Sequence, residues 1–238
     1  MESKYDNIDV VVDSVPSKKD YKKWCVDDAC KCKAYIDNNT AHLQYGYSDN
    51  IGTWFINTAI DTYPKLAASV TKLFPGRNFE NGADIGCGSL TFFDYLKVEN
   101  PLLIDITEEW VNHMRQRGYN AVVGDIQNLS FIEDKSIDII VCSDILEHVL
   151  SFDVAMKEVS RIISDDGLLL VNIPWNQDIS HIKLSQLSHI RRFDKNNVST
   201  RFKDWSVLDF EVIPQRNRKN KGRVFTWIET ANIVMKKK

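Results

Sequence analysis

The chain has 238 residues, of which 43% are apolar and 26% charged; this suits one sizeable globular core and leaves little room for a second full domain. With 30 Lys and Arg against 33 Asp and Glu the net charge is −3, so no global basic field points to nucleic acid, although a local basic patch stays open. The N-terminal stretch MESKYDNIDVVVDSVPSKKDYKKW lacks the continuous apolar run of a secretory leader, no window is apolar for long enough to span a bilayer, and the five cysteines (25, 30, 32, 87 and 142) are odd in number and scattered, so a cytoplasmic protein is expected.

The first residues form a polar, Lys- and Asp-rich arm with a single apolar island, VVV at 10–12. From Tyr21 to Phe74 apolar and aromatic residues recur at helical spacing, most clearly in TWFINTAIDTYPKLAASVTKLF, and Pro64 is expected to divide this region into two helices. PGRNFENG is a turn-rich break. The pattern then alternates between strand and helix. GADIG is a short buried strand, LTFFDYLK a helix, and PLLIDI a second strand. TEEWVNHMRQRG reads as a helix with a Thr cap, early acids and a terminal Gly, and NAVVGDI is a third strand. SIDIIVCSD is a continuous apolar run of the kind buried on both faces. FDVAMKEVSRIISDDG is an amphipathic helix ending at Gly167, and LLLVNIP a fifth strand. VLDFEVIP and RVFTWIETANIVMKK follow as two strands joined by the basic loop QRNRKNKG.

Alternation of this kind predicts an α/β fold, a doubly wound seven-stranded sheet that is mostly parallel with an antiparallel C-terminal hairpin. An N-terminal arm and helical cap (1–77) precede the core (78–238). Ligands of such sheets bind beyond the carboxyl ends of the strands. Those ends carry Asp84, Gly86 and Gly88, then Asp105, then Asp125, then Ser143, Asp144, Glu147 and His148, and finally Asn172, Pro174 and Trp175. Acids after three successive strands require a ligand or a cation to justify their burial. The turn DIGCG lacks the third glycine of a dinucleotide fingerprint, because Leu90 stands in its place, and this disfavours a pyrophosphate cradle. A strand-end carboxylate such as Asp105 suits the hydroxyls of an unphosphorylated ribose.

In order and spacing these residues, with ILEHV after the fourth strand, resemble the class I S-adenosylmethionine-dependent methyltransferases, of the type 11 branch, over about Gly82 to Pro174. The resemblance implies a Rossmann-like core and S-adenosylmethionine as cofactor, with S-adenosylhomocysteine as product. It implies that the turn at Asp84, Gly86 and Gly88 lies against the methionine part and that Asp105 binds the ribose. Asp125 then approaches the adenine amino group, Ile126 packs on the ring, and Ser143 completes the cofactor side.

For the acceptor, His148 and His189 are the candidate general bases, with His181 as a further histidine; His189 lies in LSHIRRFD, similar to a His-x-Arg-x-Phe segment near the acceptor pocket of members acting on sugars and small molecules. Its bland alternative is a surface or capping histidine. Asp144, Glu147 and His148 also offer a divalent-metal cluster, with His181 or His189 as fourth ligand, as in some relatives. Most proteins with Leu-Glu-His-Val hold no metal, and none is expected here. Cys25, Cys30 and Cys32, even with His42, fit no paired zinc spacing. Cys87 and Cys142 read as small packing residues. Arg216, Arg218, Lys219, Lys221 and Arg223 form a solvated loop before they form a contact for an acidic acceptor. Tyr45, Tyr47 and Trp54 are the aromatic candidates for closing the cap over the cofactor, or simply core. No Asn/Asp-Pro-Pro-aromatic motif follows the fourth strand, which argues against exocyclic amino methylation of DNA.

The reading is therefore a methyltransferase for a small-molecule or sugar hydroxyl, or an amine, without a membrane partner and with nucleic acid disfavoured. The rivals are a metal-assisted RNA 2′-O-methyltransferase and a non-catalytic cofactor-binding subunit.

Overall fold

The apolar run that begins at Ile137 becomes the middle of the sheet. In the computed structural model, which describes residues 9–10, 19–20, 23, 51–180, 183, 189–214, 219–220, 223–224 and 229–238 (backbone alone for 51–60, 219–220 and 223–224), β4 (Ile137–Ser143) lies parallel to β1 (Asn81–Ile85) on one side and to β5 (Ile163–Trp175) on the other. Beyond β1 come β2 (Asn100–Asp105) and β3 (Ala121–Val123), both parallel to it. The seven strands run in the order β3-β2-β1-β4-β5-β9-β6, with β9 (Glu229–Lys237) antiparallel to both β5 and β6 (Trp205–Pro214). This is the expected mostly parallel α/β sheet with antiparallel C-terminal strands.

The last strand does not extend the edge. It inserts between β5 and β6. Side-chain burial gives the reason: Ala231, Ile233, Val234 and Met235 of β9 are fully enclosed, whereas β6 leaves Val207, Leu208 and Phe210 exposed. The more apolar strand takes the interior place, where each face is covered. The basic connection between them holds a small ladder of its own, β7 (Lys219–Asn220) with β8 (Arg223–Val224); Arg216, Arg218 and Lys221 lie outside the described residues.

Successive β4 residues serve opposite faces, as a period of two requires. Ile139 and Val141 meet helix α1 (Ile51–Leu73) through Tyr63, Leu66, Ala67 and Val70. Ile140 and Cys142 meet helix α3 (Phe152–Ile162) through Phe152, Ala155, Val159 and Ile162. Helix α2 (Glu108–Gln116) packs Val111 and Met114 on Leu103 of β2. A short helix α4 (Val198–Arg201) precedes β6.

Three expectations are corrected. Helix α1 continues through Pro64 and does not divide there. The stripe Tyr63–Leu66–Ala67–Val70 is buried against the sheet on both sides of the proline, and Lys65–Glu211, Ser69–Asp209 and Asn232 Nδ2 donating to Thr62 O at 3.0 Å fix it there. That packing outweighs the hydrogen bond a proline removes. LTFFDYLK forms a single 3₁₀ turn, Phe92–Asp94, rather than a helix, and Asp84 anchors its start by accepting from the Thr91 hydroxyl (2.7 Å) and the Phe92 N–H (2.9 Å). Helix α3 stops at Ile162, five residues before Gly167, because Ile163 already pairs with Ile137 across β4. No described helix is long and apolar enough to cross a membrane.

Arg161, at the end of α3, gathers the loop before β4. Its guanidinium donates to Leu129 O (2.9 Å), Ile132 O (2.9 Å), Asp134 (2.7 Å) and Glu158 (3.0 Å), and Glu158 in turn accepts from the Leu129 N–H. One planar, multiply bonded donor closes this loop, a role lysine cannot reproduce. Arg161→Ala is expected to lower the unfolding free energy by about 1.5–3 kcal/mol in urea titration, with Arg161→Lys restoring little of it.

Candidate active site

The site begins where β1 ends. Gly86 and Cys87 both donate to Ile104 O (2.7 and 3.2 Å), so the chain turns sharply against β2. Gly86 and Gly88 have φ of 76° and 55°, conformations that side chains rarely adopt. Their surroundings differ. A Cβ on Gly86 would sit 2.1 Å from Ile145 Cγ2, whereas one on Gly88 meets nothing within 4 Å. Gly86 is thus a packing requirement, and Gly88 borders open space.

Two acids hold this turn. Asp84 is 1% exposed and uses Oδ2 for Thr91 and Phe92. Burial raises it from 3.8 to about 6, against those two hydrogen bonds. Asp105 accepts from the Gly88 N–H at 3.0 Å through Oδ2, and from the Thr107 N–H and hydroxyl at 2.9 Å through Oδ1. Burial raises Asp105 too, and these donors oppose the rise. Thr107 is the N-cap of α2, as expected, yet its hydroxyl serves Asp105 and makes no cap bond. Asp125, one strand on, accepts from the Gln127 N–H at 2.9 Å, beside the buried Ile126.

From the other side of the cleft comes Tyr63 of α1. Its hydroxyl shares a hydrogen bond with the Ser143 side chain, and burial first, then the charge of Asp84, raises its pKa well above the ordinary value. The chain leaves β4 through Asp144 at φ 49°, and leaves β5 through Asn176 at φ 56°. Left-handed residues other than glycine cluster at functional sites, and both of these stand on the carboxyl edge of the sheet.

Past Ser143 the segment 144–148 meets the segment 189–192. Glu147 O accepts from the N–H groups of Ile190 (2.9 Å) and Arg191 (3.2 Å). This brings the His189 ring to 4.7 Å from that of His148, edge to face. Nε2 of His148 and of His189 lie 3.8 and 4.0 Å from Glu147 Oε1. Burial, then Asp144, raises the Glu147 carboxyl well above its usual range, and burial pushes His189 down to about 4. His189 Nδ1 is bonded to Gln177 Oε1, which fixes the proton on Nδ1. An N-terminal residue latches the same segment. The Asp9 N–H donates to Ile190 O (3.0 Å), and its carboxylate accepts from the Arg192 N–H (2.7 Å) and pairs with Arg201.

The sequence comparisons agree with this geometry. Residues 83–171 match the family model described as a methyltransferase domain. Over those residues the chain is similar to that family. Among curated proteins, it is 28% identical over 142 residues to an uncharacterised protein of Methanocaldococcus jannaschii, a match covering 58% of the chain and 60% of that relative's length. Among solved structures, a chain of the Haloferax volcanii complex containing the Trm112 methyltransferase activator has a TM-score of 0.60 at 15% identity, covering 92% of this chain and 99% of that one. The YcgJ protein of Bacillus subtilis has a TM-score of 0.55 at 18% identity, covering 73% and 99%. A SAM-dependent methyltransferase of Thermotoga maritima has 0.54 at 20% identity, covering 77% and 95%. At these identities the structures establish the fold.

The chain thus has Asp84, Gly86, Gly88, Asp105, Asp125, Ile126 and Ser143 along one edge of the sheet, with Asp144, Glu147, His148 and His189 beyond β4. Asp84 is tied to the turn behind it. Cys87 and Cys142 are free and buried, as small packing residues would be. Cys25, Cys30, Cys32, His42, Tyr45, Tyr47 and His181 lie outside the described residues, as does the Trp54 side chain. Tyr63, Thr107 and Gln177 were missed. Tyr63 was legible only as one more aromatic of an amphipathic stripe, and nothing local marks Gln177.

Two outcomes follow. Gly86→Ala should cost several kcal/mol, because about 1–2 of backbone strain adds to overlap with Ile145, and thermal unfolding will show it. Asp84 binds its proton more readily folded than unfolded, so its contribution to stability is greatest below about 3.8 and is lost as pH rises through about 6. Asp84→Asn keeps an acceptor for Thr91 and Phe92. Relative to the parent it should gain on the order of 3 kcal/mol between those pH values, read from urea unfolding at each pH.

Proposed function

We propose that the chain transfers a methyl group from S-adenosylmethionine to a hydroxyl of a small molecule or sugar, with amines as the second acceptor class. The observation that carries this is the Gly88 turn. Its amide is tied to the second-strand acid Asp105, and its Cα borders open space where a side chain would intrude. Such a cradle fits a cofactor that has no phosphate and needs close backbone approach. Asp105 still has acceptor capacity on Oδ2, which takes only the Gly88 N–H, and this supports a bond to one ribose hydroxyl. Asp125 and Ile126 support the adenine side, and Ser143, held by Tyr63, the methionine side.

When bound, the cofactor supplies an electrophilic methyl carbon, and in-line attack by the acceptor oxygen breaks the carbon–sulfur bond to leave S-adenosylhomocysteine. The protein's part is alignment and removal of the acceptor's proton. His189 suits the second task. Burial keeps its imidazole neutral at pH 7, and the Gln177 bond to Nδ1 leaves Nε2 as the basic atom. His148, edge to face with it, is the second candidate. We place the protein in the cytoplasm on its free, buried thiols, and divide it at 77/78 into a helical cap and a catalytic core, the cap contributing Tyr63.

A second reading, an RNA 2′-O-methyltransferase, draws on the Glu147–His148–His189 cluster. RNA binding that weakens steeply with salt is its requirement, and its absence eliminates it. A non-catalytic subunit would bind the cofactor without turnover in any activator complex.

Calorimetry with S-adenosylmethionine and S-adenosylhomocysteine tests the main reading, and failure of the folded protein to bind either rejects it. Gly88→Ala is expected to weaken S-adenosylhomocysteine by tenfold or more, about 1.4 kcal/mol, and to lower stability only by the left-handed strain of about 1–2 kcal/mol, since its Cβ meets no neighbour. Asp105→Ala should weaken it further and also loosen the turn.

A further inference from the structure

Gln127 uses both ends of its side-chain amide. Its Nε2 donates to Asp125 Oδ1 at 3.2 Å, and its Oε1 accepts from the Ser151 N–H at 2.9 Å. The two partners assign the amide unambiguously, because a carboxylate accepts and a backbone N–H donates. Ser151 opens helix α3, so a half-buried glutamine ties the loop after β3 to the start of that helix. Holding a long side chain at both ends costs rotamer freedom. What it holds is the strand-end acid assigned to the adenine side.

Asp125 Oδ1 accepts twice from Gln127, from the backbone N–H at 2.9 Å and from Nε2 at 3.2 Å. Any residue other than proline at position 127 would supply the first bond; only the glutamine side chain supplies the second. The terminal torsion of an aspartate is broad, so a single donor leaves the carboxylate free to turn. Two donors on one oxygen fix its plane and direct Oδ2 elsewhere. Oδ2 lies 3.5 Å from the same Nε2, beyond the usual hydrogen-bond range, and among the described residues no other donor is bonded to it. The backbone beneath is fixed too, since the Asn128 N–H donates to Asp125 O at 2.7 Å.

We propose that Gln127 is a positioning residue for base recognition: it presents Asp125 Oδ2 to the exocyclic amino group of adenine and so makes the site prefer a 6-amino purine to a 6-oxo purine. The inference rests on the methyl-transfer reading, in which Asp125 serves the adenine, and goes beyond it by naming what sets the base preference. An amino group donates to a carboxylate oxygen. A 6-oxo purine puts an acceptor in that place, and two acceptors repel. The discrimination is sharp only while Oδ2 cannot swing aside, and that restraint is what Nε2 contributes. The Ser151 bond in turn holds Nε2 in place, which makes the start of α3 part of the base site.

The test is calorimetry on the full chain with S-adenosylhomocysteine and with S-inosylhomocysteine, whose purine is 6-oxo. The parent should favour the first by about 10–100-fold, the range expected of one hydrogen bond to a charged group. Gln127→Glu keeps an acceptor for the Ser151 N–H but sets a second carboxylate against Asp125, and the preference should fall by about tenfold. Gln127→Leu, which lacks both side-chain bonds, should lower it as well. A loop that is merely loosened weakens both ligands alike and leaves their ratio unchanged, so the ratio separates aiming from stability. Asp125→Ala should abolish the preference, and adding Gln127→Glu to it should change the ratio no further, as a residue acting through Asp125 requires. Circular dichroism on the same samples shows that each variant is folded. A parent that binds both ligands equally overturns the proposal, as does a ratio unchanged in both Gln127 variants; either result leaves the methyl-transfer reading standing. Binding of neither ligand by the folded parent rejects both.

Discussion

The hydrogen bond from the Gly88 N–H to Asp105 Oδ2 is the contact on which the cleft depends. Together with the Gly86 and Cys87 N–H groups on Ile104 O, it joins the loop after β1 to the end of β2. Once joined, the turn has a fixed depth, and the open space beside Gly88 has a floor. A carboxylate is suited to this because it accepts from several directions at once. Asp105 takes three donors from its own chain and keeps capacity on Oδ2. The same residue therefore shapes the site and remains available to a ligand.

Buried acid is the recurring feature of this edge, and each acid is accommodated differently. Asp84 is bonded to Thr91 and Phe92 and anchors the turn that follows β1. Asp105 is held by backbone amides and a threonine hydroxyl. Asp144 is raised to about 7 by burial, which favours its neutral form, and it stands at the left-handed turn out of β4. Glu147 is 1% exposed, and among the described residues no donor reaches its carboxylate. Desolvation is the leading cause of the raised pKa in all four, so the sheet edge is a place where charge is disfavoured until a ligand arrives. Such a concentration of perturbed groups is what a reactive site requires and a purely structural edge does not.

The strands were legible because their burial is expressed in runs of residues: IDIIVCS announces a central strand without reference to anything else in the chain. The placement of Asp84, Asp105, Asp125 and Ser143 at one edge of the sheet was legible for a related reason, since each stands at or just past a strand end and their order follows the chain. What the sequence hid depends on competition between local preference and distant partners. Pro64 reads as a break, but sheet packing on both sides of it keeps α1 whole. LTFFDYLK has helical spacing, but it forms only the turn that Asp84, seven residues earlier than Thr91, anchors. The two C-terminal strands read as a hairpin, and the apolar content of Glu229–Lys237 places that strand between β5 and β6.

The two halves of the cleft differ in the same respect. The half around the glycine turn is built mostly from residues 84 to 126, so neighbours in space are also neighbours in sequence, and a spacing pattern can describe it. The half beyond β4 joins Glu147 and His148 to Gln177 and His189, with Asp9 latching the segment 190–192 from near the N-terminus. Closing contacts over such separations costs chain entropy that only the assembled core offsets. These contacts leave no periodic trace in the sequence. Fold and site are thus separable in this chain: the sheet is set by apolar runs, whereas the surroundings of His189 are set by partners brought from distant segments.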